Sequence, residues 1–371
     1  MAETSLAAVL VGPQQFEIRE IPLPEIDDDA AIIKMEACGI CGSDIGGSTF
    51  RNGNEHIMGH EPVGLVYKIG NKAKAKWQIK EGDRIALEEY VPCGACKYCR
   101  SNDFRFCAAT DGASHTGDTP RLWYGSTPMD VWPSLWGGYS QYMYVHPNAV
   151  VHRIPNNIPA QHAAAFLPFS NGVEWAYGYG GVSLGDAIWI QGPGQQGLAA
   201  VIASSAAGAQ KIIVSGLSRD EARLNVALKL GATDVIYADQ EEDIVKRVMD
   251  ITGGEGCNVV VNVTGGGKDC VAQSIAVAAK TKANIVLAAA GNETVNMGSL
   301  GRKKIVLKRA NGHSFQAVEQ AIQFIASGKI PMEDISTHTF PMSRAAEAID
   351  AVAGRPGAAP GAIHVSILPE V

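Results

Sequence analysis

The chain has 371 residues, of which 46% are hydrophobic and 19% charged, and its formal net charge is −7 at pH 7. At roughly 100–200 residues per domain, this length predicts two domains. No apolar run approaches the roughly 20 residues that span a bilayer, and an acidic chain without a basic stripe argues against nucleic acid, so we expect neither a membrane nor a nucleic-acid partner.

The first twelve residues contain neither a basic segment nor an apolar stretch with a small-residue cleavage site, so we expect a cytoplasmic protein. Six of the eight cysteines fall in two clusters, at 38–41 and 93–107. In a long chain without a signal peptide, such clusters favour metal binding over disulfides.

The segment 5–148 predicts a mainly β unit, because short alternating stretches such as Ala30–Glu36 are separated by Gly and Pro. Within it lie the motifs Cys38-Gly-Ile-Cys41-Gly-Ser43-Asp44 and Gly59-His60-Glu61. The Cys41 thiolate, the His60 imidazole and a nearby carboxylate could hold a zinc ion with one position open to a substrate oxygen. Alternatively, His60 is a structural histidine, or Cys38 and Cys41 form a redox pair, although they open no βαβ unit.

Four further cysteines stand within fifteen residues, namely Cys93, Cys96, Cys99 and Cys107. Four thiolates close the tetrahedral shell that zinc prefers in structural sites, with Zn–S distances of about 2.3 Å. The small residues Gly94 and Ala95 allow the chain to wrap tightly around an ion. Chance cysteines or a redox switch are the alternatives.

The stretch 108–138 has no helical or strand periodicity and is rich in Gly, Pro, Ser, Thr and aromatic residues. Loops of this length are usually functional or disordered. Trp123, Trp132 and Trp136 favour an ordered, packed lobe, because disordered segments are poor in aromatic residues.

After Pro159, short apolar runs alternate with Ala-rich helical stretches, which predicts a parallel βαβ sheet. The predicted strands are Ala187–Gln191, Lys211–Val214, Val259–Val263 and Ile285–Ala289. The predicted helices are Gly197–Ala207, Asp220–Leu230, Glu241–Thr252 and Lys268–Ala279. In the tail we expect a helix over Phe315–Ser327 and a strand over Ala362–Ile367.

A glycine-rich turn follows the first of these strands and has the sequence Gly192-Pro-Gly194-Gln195-Gln196-Gly197. A strand, a G-x-G-x-x-G turn and a helix start are the context in which backbone N–H groups bind a pyrophosphate. The sequence therefore predicts a dinucleotide cofactor.

The end of the next strand reads Val214-Ser215-Gly216-Leu217-Ser218-Arg219 and has no carboxylate at its tip. A carboxylate there would bind the ribose 2'-hydroxyl of NAD, whereas a cation accommodates the 2'-phosphate of NADP. Ser215, Ser218 and Arg219 therefore favour NADP, unless Arg219 is only a solvated residue at a helix start. Thr264 and Ala290 are also assigned to the cofactor site.

Taken together, these residues resemble the zinc-dependent medium-chain alcohol dehydrogenases, which include sorbitol and threonine dehydrogenases. The matching motifs are G-I-C-G-S-D at 39–44, G-H-E at 59–61, the four cysteines, G-D-R at 82–84 and the Rossmann loop. The resemblance implies an α/β fold with a GroES-like, mainly β catalytic domain over 1–170 that carries the structural zinc lobe. A Rossmann doubly wound parallel sheet would follow over 171–310, and 311–371 would return to the catalytic domain. We expect a homodimer or homotetramer.

The resemblance also implies residue roles. Cys41 and His60 match the catalytic zinc ligands, Glu61 matches the adjacent carboxylate, and Ser43 matches the hydroxyl that passes the substrate proton. Zinc would stabilise the alkoxide while a hydride moves to or from the nicotinamide.

Two positions depart from the family pattern. The third zinc ligand, a Cys, Asp or Glu, should lie near Leu167–Asn171, where only Ser170 and Asn171 carry polar side chains. Either Glu61 or water completes the shell, or the catalytic zinc is weak or absent. Gly46 stands where many members carry the last histidine of the proton relay, so water or a ribose hydroxyl would take the proton onward.

These observations predict an NADP-preferring alcohol dehydrogenase or carbonyl reductase with a small-molecule substrate. The three lobe tryptophans with Phe50 and Phe169 suggest a pocket for a bulky or aromatic substrate, unless they only pack the lobe. The alternatives are a zinc-independent quinone or enone reductase, and a non-catalytic dinucleotide-binding protein.

Overall fold

Antiparallel strands dominate the N-terminal part of the chain, and parallel strands dominate its middle. The computed structural model describes residues 3–50, 53–112, 115, 121–265, 267–289 and 293–370. The chain divides into two units, one formed by 1–167 with 322–371 and the other by 168–321. The predicted domain limits, 1–170, 171–310 and 311–371, remain our proposal. Among the described residues, no helix has the length and apolarity needed to cross a membrane.

The elements up to residue 163 are β1 (Thr4–Gly12), β2 (Gln15–Pro22), β3 (Ala31–Gly39), α1 (Gly42–Gly47), β4 (His56–Ile57), β5 (Glu61–Ile69), α2 (Asn71–Trp77), β6 (Arg84–Leu87), α3 (Lys97–Arg100), β7 (Tyr142–Val145), β8 (Val151–Arg153) and α4 (Ala160–Ala163). The middle contains α5 (Phe166–Val173), β9 (Ala187–Gln191), α6 (Gln195–Ala206), β10 (Lys211–Gly216), α7 (Glu221–Lys229), β11 (Asp234–Tyr237), α8 (Ile244–Ile251), β12 (Val259–Asn262), α9 (Cys270–Val277), β13 (Ala283–Leu287), β14 (Ile305–Arg309) and α10 (Phe315–Ala326). The tail adds α11 (Met332–Ile335), β15 (Ser336–Pro341), α12 (Ala345–Ala353) and β16 (His364–Leu368).

The first unit is built on the antiparallel pairing of β3 with β5. They belong to a sheet of order β15-β16-β3-β5-β6-β8, with β7 also paired to β3, and β2-β1-β4 form a second sheet. Apolar side chains such as Leu10, Ile33 and Trp136 are buried in one core that these strands share with the tail. In the β3–β5 register, Gly39 lies opposite Glu61. This pairing therefore brings residues just after β3 beside residues at the start of β5.

The second unit contains a six-stranded parallel sheet of order β11-β10-β9-β12-β13-β14. The apolar centres of β9, β10, β12 and β13 are buried, as expected for strands covered on both faces. The chain passes from β9 through α6 to β10 on one side and crosses to β12 on the other, so the strand order reverses at β9. The predicted α/β class with a doubly wound parallel sheet is confirmed.

The sequence missed several elements of both units. β11 and β14 were not predicted because each is a short edge strand, and four of the five residues of β14 are exposed, which removes the apolar signal. Helix α12 was also missed in the tail. Strand β10 continues two residues beyond its predicted end, so Ser215 and Gly216 belong to the strand.

The stretch 108–138 is irregular where it is described, and its tryptophans differ in environment. Trp136 is 2% exposed and donates to the Val131 carbonyl at 3.1 Å, whereas Trp132 is 61% exposed. Trp123 stacks on Tyr90, with ring centroids 5.2 Å apart. Packing against the core thus orders this lobe around Trp136 and Trp123.

Candidate functional site

The strand pairing described above brings three metal-binding side chains together. Cys41 lies between β3 and α1, His60 directly precedes β5, and Glu61 is the first residue of β5. One ligand atom from each residue lies within 4.8 Å of the others. The structure therefore assembles Cys41, His60 and Glu61 into one cluster.

Asp44 connects two members of this cluster. Its Oδ2 atom accepts the backbone N–H of Cys41 at 2.9 Å, and its Oδ1 atom lies 3.3 Å from Nδ1 of His60. A carboxylate at one ring nitrogen is the usual partner of a zinc-binding histidine, because it fixes the tautomer and directs the other nitrogen to the metal. The sequence showed Asp44 only as part of a motif, and its positioning role appears once His60 is placed beside it.

The burial and the protonation of the three side chains fit a bound cation. Burial raises the pKa of the Cys41 thiol, and it raises the pKa of Glu61 to about 8. Burial opposes protonation of His60, but Asp44 and Cys41 outweigh that effect and hold the pKa of the imidazole well above its usual range. Neither oxygen of Glu61 has a hydrogen-bond partner of normal geometry among the described residues. Sulfur, nitrogen and oxygen donors buried together without compensation fit a zinc ion.

Gly39 is required for the buried position of Glu61. A Cβ atom at position 39 would lie 2.2 Å from Oε2 of Glu61 and 2.9 Å from the Ala164 carbonyl oxygen. The absence of a side chain at the end of β3 thus creates the space that the carboxylate occupies.

The predicted region of the third ligand offers no free donor. Asn171 is buried, and its Oδ1 atom lies 2.9 Å from Nδ1 of His313. Ser170 is fully buried. Neither residue is a good zinc ligand, so the departure from the family pattern remains in the folded chain.

A cavity of about 510 Å³ opens beside His60, and its walls carry both polar and aromatic side chains. They include Ser43, Gly46, His56, Glu89 and Trp123. Oε2 of Glu89 lies 3.6 Å from Nε2 of His60. Glu89 and His56 were missed because neither stands in a recognisable motif. Of the aromatic residues that the sequence associated with a pocket, only Trp123 lines this cavity, whereas Phe50 packs against the core and Phe169 is buried.

The four cysteines of the second cluster also come together, with one sulfur of each within 4.8 Å of the others. The Cys96 and Cys99 sulfurs are 3.5 Å apart, and the Cys93 and Cys99 sulfurs are 4.0 Å apart. Two sulfurs bound to one tetrahedral zinc at about 2.3 Å would be about 3.8 Å apart. Backbone N–H groups of Ala95 and Cys96 lower the pKa of Cys93 to about 6, which favours the thiolate. The cluster fits a closed zinc site.

A buried ion pair connects the segment of the four cysteines, residues 93–107 (the cysteine lobe), to the sheet. Nη2 of Arg105 lies 2.7 Å from Oε2 of Glu88, and Nε2 of His152 lies 3.4 Å from Oε1. Glu88 directly follows β6 and is fully buried. Arg105 stands two residues before Cys107, so the pair fixes the lobe next to the residues that line the cavity.

A second cavity, of about 810 Å³, lies at the carboxyl ends of β9, β10 and β12. Gly192 has φ +113°, and a Cβ atom at Gly197 would lie 2.0 Å from the Gly192 carbonyl oxygen, so the turn requires both glycines. Gly194 caps the twelve-residue helix α6, whose first N–H groups form an anion site. This arrangement can hold a dinucleotide pyrophosphate.

The predicted cofactor residues are only partly gathered at this cavity. Its walls include Gly192, Gly194, Ser215, Gly216, Arg219 and Thr264, together with Arg223 and Asp220, which the sequence did not single out. Gln195, Gln196 and Gly197 form the first turn of α6 instead. Ser218 is engaged elsewhere, because its N–H donates to Asp239 and its hydroxyl accepts from Gln240, both at 2.8 Å. Ala290 lies outside the described residues.

Gly216 has a packing role that the sequence did not reveal. A Cβ atom there would lie 2.8 Å from Cγ of Pro193, in the glycine-rich turn. The missing carboxylate at the strand end is therefore also a requirement of close packing between β10 and that turn.

Comparison with known families and proteins agrees with this architecture. Residues 27–156 match the alcohol dehydrogenase GroES-like domain, and residues 197–327 match the zinc-binding dehydrogenase domain. The chain is 33% identical over 374 residues to a probable alcohol dehydrogenase of Mycobacterium tuberculosis, with 98% of each chain covered. It is 29% identical over 387 residues to an erythritol/L-threitol dehydrogenase of Mycolicibacterium smegmatis, with 99% of this chain and 98% of the relative covered. The crystal structure of an Escherichia coli oxidoreductase/dehydrogenase of unknown specificity superposes with a TM-score of 0.82 at 25% identity, covering 99% of each chain.

Proposed function

The chain belongs to the zinc-binding alcohol dehydrogenase family, and we propose that it moves a hydride between NADP and a small alcohol or carbonyl compound. The reaction would take place at the site formed by Cys41, His60 and Glu61. Family membership makes it an oxidoreductase of the alcohol dehydrogenase type. The observation that carries the finer proposal is the cluster of three metal-binding side chains that adjoins a cavity lined by Ser43.

In this proposal, each residue near the cavity has a defined task. Cys41, His60 and Glu61 would hold a zinc ion, which would supply a Lewis acid for the substrate oxygen, and a bound nicotinamide would accept or supply the hydride. Asp44 keeps Nδ1 of His60 protonated and holds the backbone at Cys41. Ser43 accepts the hydroxyl proton during oxidation and returns it during reduction. Gly46 has no side chain to relay the proton, so water carries it away. Cys93, Cys96, Cys99 and Cys107 hold a second, structural zinc away from the chemistry.

NADP is favoured by the charge at the end of β10. Two guanidinium groups, those of Arg219 and Arg223, line the dinucleotide cavity, and no carboxylate can occupy position 216 without displacing Pro193. Asp220 also lines the cavity, but its oxygens lie 3.0 Å from the Leu217 N–H and 3.6 Å from Arg223. We therefore place the 2'-phosphate beside Arg219.

Arg219→Ala tests this assignment. Loss of a charge-assisted hydrogen bond worth roughly 1.5–3 kcal/mol should weaken NADPH about ten- to a hundredfold and leave NADH nearly unchanged. Lys246→Ala removes an exposed cation paired with Asp250 and serves as the control. A wild-type kcat/KM higher with NADH than with NADPH would overturn the NADP assignment, and Arg219 would then be a solvated residue at the start of α7.

A second candidate for the substrate follows from the cavity walls. Ser43, His56, His60 and Glu89 offer polar groups, beside aromatic faces from Tyr90, Trp123 and Tyr124. The polar groups can hydrogen-bond a substrate with additional hydroxyl groups, and a relative named for erythritol and L-threitol agrees with this candidate.

Steady-state assays of aliphatic, aromatic and polyhydroxy alcohols with NADP and NAD test the function as a whole. Zinc-dependent oxidation of at least one alcohol supports it. Turnover of quinones or enones that survives removal of the zinc held by Cys41, His60 and Glu61 would instead favour the zinc-independent reductase. Absence of turnover with every alcohol and carbonyl tested would leave a non-catalytic dinucleotide-binding protein.

A further inference from the structure

We propose that Glu89 is a ligand of the catalytic metal and replaces the ligand that is missing near Leu167–Asn171. This inference rests on the proposed function, because it concerns the zinc held by Cys41, His60 and Glu61. It assigns Glu89 a role that no motif in the sequence indicates.

The distance between Glu89 and His60 carries the proposal. Oε2 of Glu89 lies 3.6 Å from Nε2 of His60, which is too long for a hydrogen bond. Two ligand atoms bound at 2.0–2.1 Å to one tetrahedral zinc would be about 3.4 Å apart. The observed separation is therefore close to that of two ligands of one ion.

The orientation of His60 points to the same position. Asp44 lies at Nδ1, so the nitrogen available to a metal is Nε2, and Glu89 stands on that side of the ring. Glu89 is also close enough to Glu61 to contribute to the raised pKa of that carboxyl group. Two carboxylates thus lie beside the same imidazole, an arrangement that a divalent cation relieves.

The backbone holds Glu89 firmly in place. Its carbonyl accepts the Tyr124 N–H at 2.9 Å, and the N–H of Glu88 donates to the Val150 carbonyl at 3.0 Å. The Glu88 side chain is fixed by Arg105, and Glu89 lines the cavity instead. Besides His60, the Tyr90 phenol is a polar neighbour of the Glu89 carboxylate, and one phenol leaves the second oxygen available to a metal.

The two carboxylates differ in their exposure to the cavity. Glu61 is completely buried, whereas the Glu89 side chain is 16% exposed and lines the cavity wall. With Cys41, His60, Glu61 and Glu89 bound, the tetrahedral shell would be closed, so a substrate oxygen entering from the cavity would add as a fifth ligand or displace Glu89.

The test is the zinc affinity of Glu89→Gln, which keeps the size of the side chain and removes its charge. Zinc per chain is measured by elemental analysis, and affinity by competition with a chromophoric chelator. We expect wild type to hold two zinc ions, and Glu89→Gln to retain the ion of the four cysteines but to bind the other at least about ten times more weakly. Glu89→Asp, which keeps the carboxylate, should recover part of the affinity.

Glu81→Gln is the matched control, because it removes the same charge from an exposed side chain of the same unit. Cobalt(II) in place of zinc gives a readout independent of affinity and turnover, since loss of a carboxylate ligand must alter the ligand-field absorption of the site. Wild-type zinc affinity and an unchanged cobalt spectrum in Glu89→Gln would overturn the proposal. Should Glu89→Gln fail to fold, the zinc affinity and the cobalt spectrum of Glu89→Ala, which also removes the carboxylate, decide by the same criterion. Alcohol oxidation by the wild type tests the proposed function separately, so the two can fail independently.

Discussion

The two groups of metal-binding residues in the first unit are assembled in different ways. The four cysteines come from one segment of fifteen residues and offer four identical donors, which close a shell without an open position. The catalytic cluster joins Cys41 to His60 and Glu61 through the β3–β5 pairing, mixes three donor types and adjoins a cavity. Local spacing therefore suffices for a structural site, whereas the open site depends on the fold around it. The first cluster should therefore govern stability, and the second should govern activity.

The largest effect is expected from Cys99→Ser. Binding of a structural zinc contributes roughly 10–16 kcal/mol to the folding free energy of small domains. If the loss of one thiolate ligand removes about 5 kcal/mol of this stabilisation, the melting temperature should fall by about 10–20 °C. Below that temperature the remaining folded protein should still turn over. Thermal unfolding and turnover of Cys99→Ser are compared with Ser101→Ala, which leaves the four sulfurs in place. Unchanged stability would show that the lobe needs no metal.

His60→Ala should produce the converse result. A catalytic metal lowers the activation barrier of the reaction by several kcal/mol, so its loss should lower kcat/KM about a thousandfold or more. The melting temperature should fall much less than in Cys99→Ser. His338→Ala, a half-buried histidine in β15, is the control. Full metal content together with full turnover in His60→Ala would show that the cluster is assigned incorrectly.

Arg105→Ala tests the connection between the two regions. Removing the guanidinium leaves the Glu88 carboxylate buried without its 2.7 Å partner, which should cost about 3–5 kcal/mol of unfolding free energy. Denaturant unfolding measures this loss. Arg19→Ala breaks an exposed ion pair with Glu55 and should cost about 1 kcal/mol or less. Equal losses in the two variants would mean that the buried pair does not hold the lobe.

Asp44→Asn should have the smallest effect of the four. The variant keeps the shape of the side chain but weakens its hold on Nδ1 of His60, and the loss of such a partner typically lowers metal affinity about 10- to 100-fold. Zinc competition measures the change at the catalytic cluster, and the four-cysteine zinc is the internal control. Equal weakening at both sites would indicate general unfolding instead of a local role for Asp44.

Much of the fold could be predicted from the sequence because its signals are local. The glycine-rich turn lies between β9 and α6 as its pattern predicts, since Gly192 and Gly197 are needed at that backbone geometry. The short strands β11 and β14 lacked such a signal. Each lies at an edge of the sheet with one neighbouring strand, and an edge strand needs few apolar residues.

The catalytic cluster could be predicted only in part. Cys41, His60 and Glu61 stand in motifs, but Glu89 and Asp44 acquire their roles from contacts across the sheet. Gly216 shows the same limitation, because its contact with Pro193 depends on how β10 packs beside the turn. Residues that act through non-local contacts leave no spacing pattern in the sequence.

The proposed division between a structural and a catalytic zinc site is tested by the zinc count of the wild type, His60→Ala and Cys99→Ser, measured by elemental analysis beside alcohol oxidation. We predict two zinc ions per chain in the wild type, one in His60→Ala with turnover almost abolished, and loss of the other in Cys99→Ser with turnover retained by the folded fraction. A wild type that holds one zinc or none and still oxidises alcohols at full rate would contradict the proposed catalytic metal site.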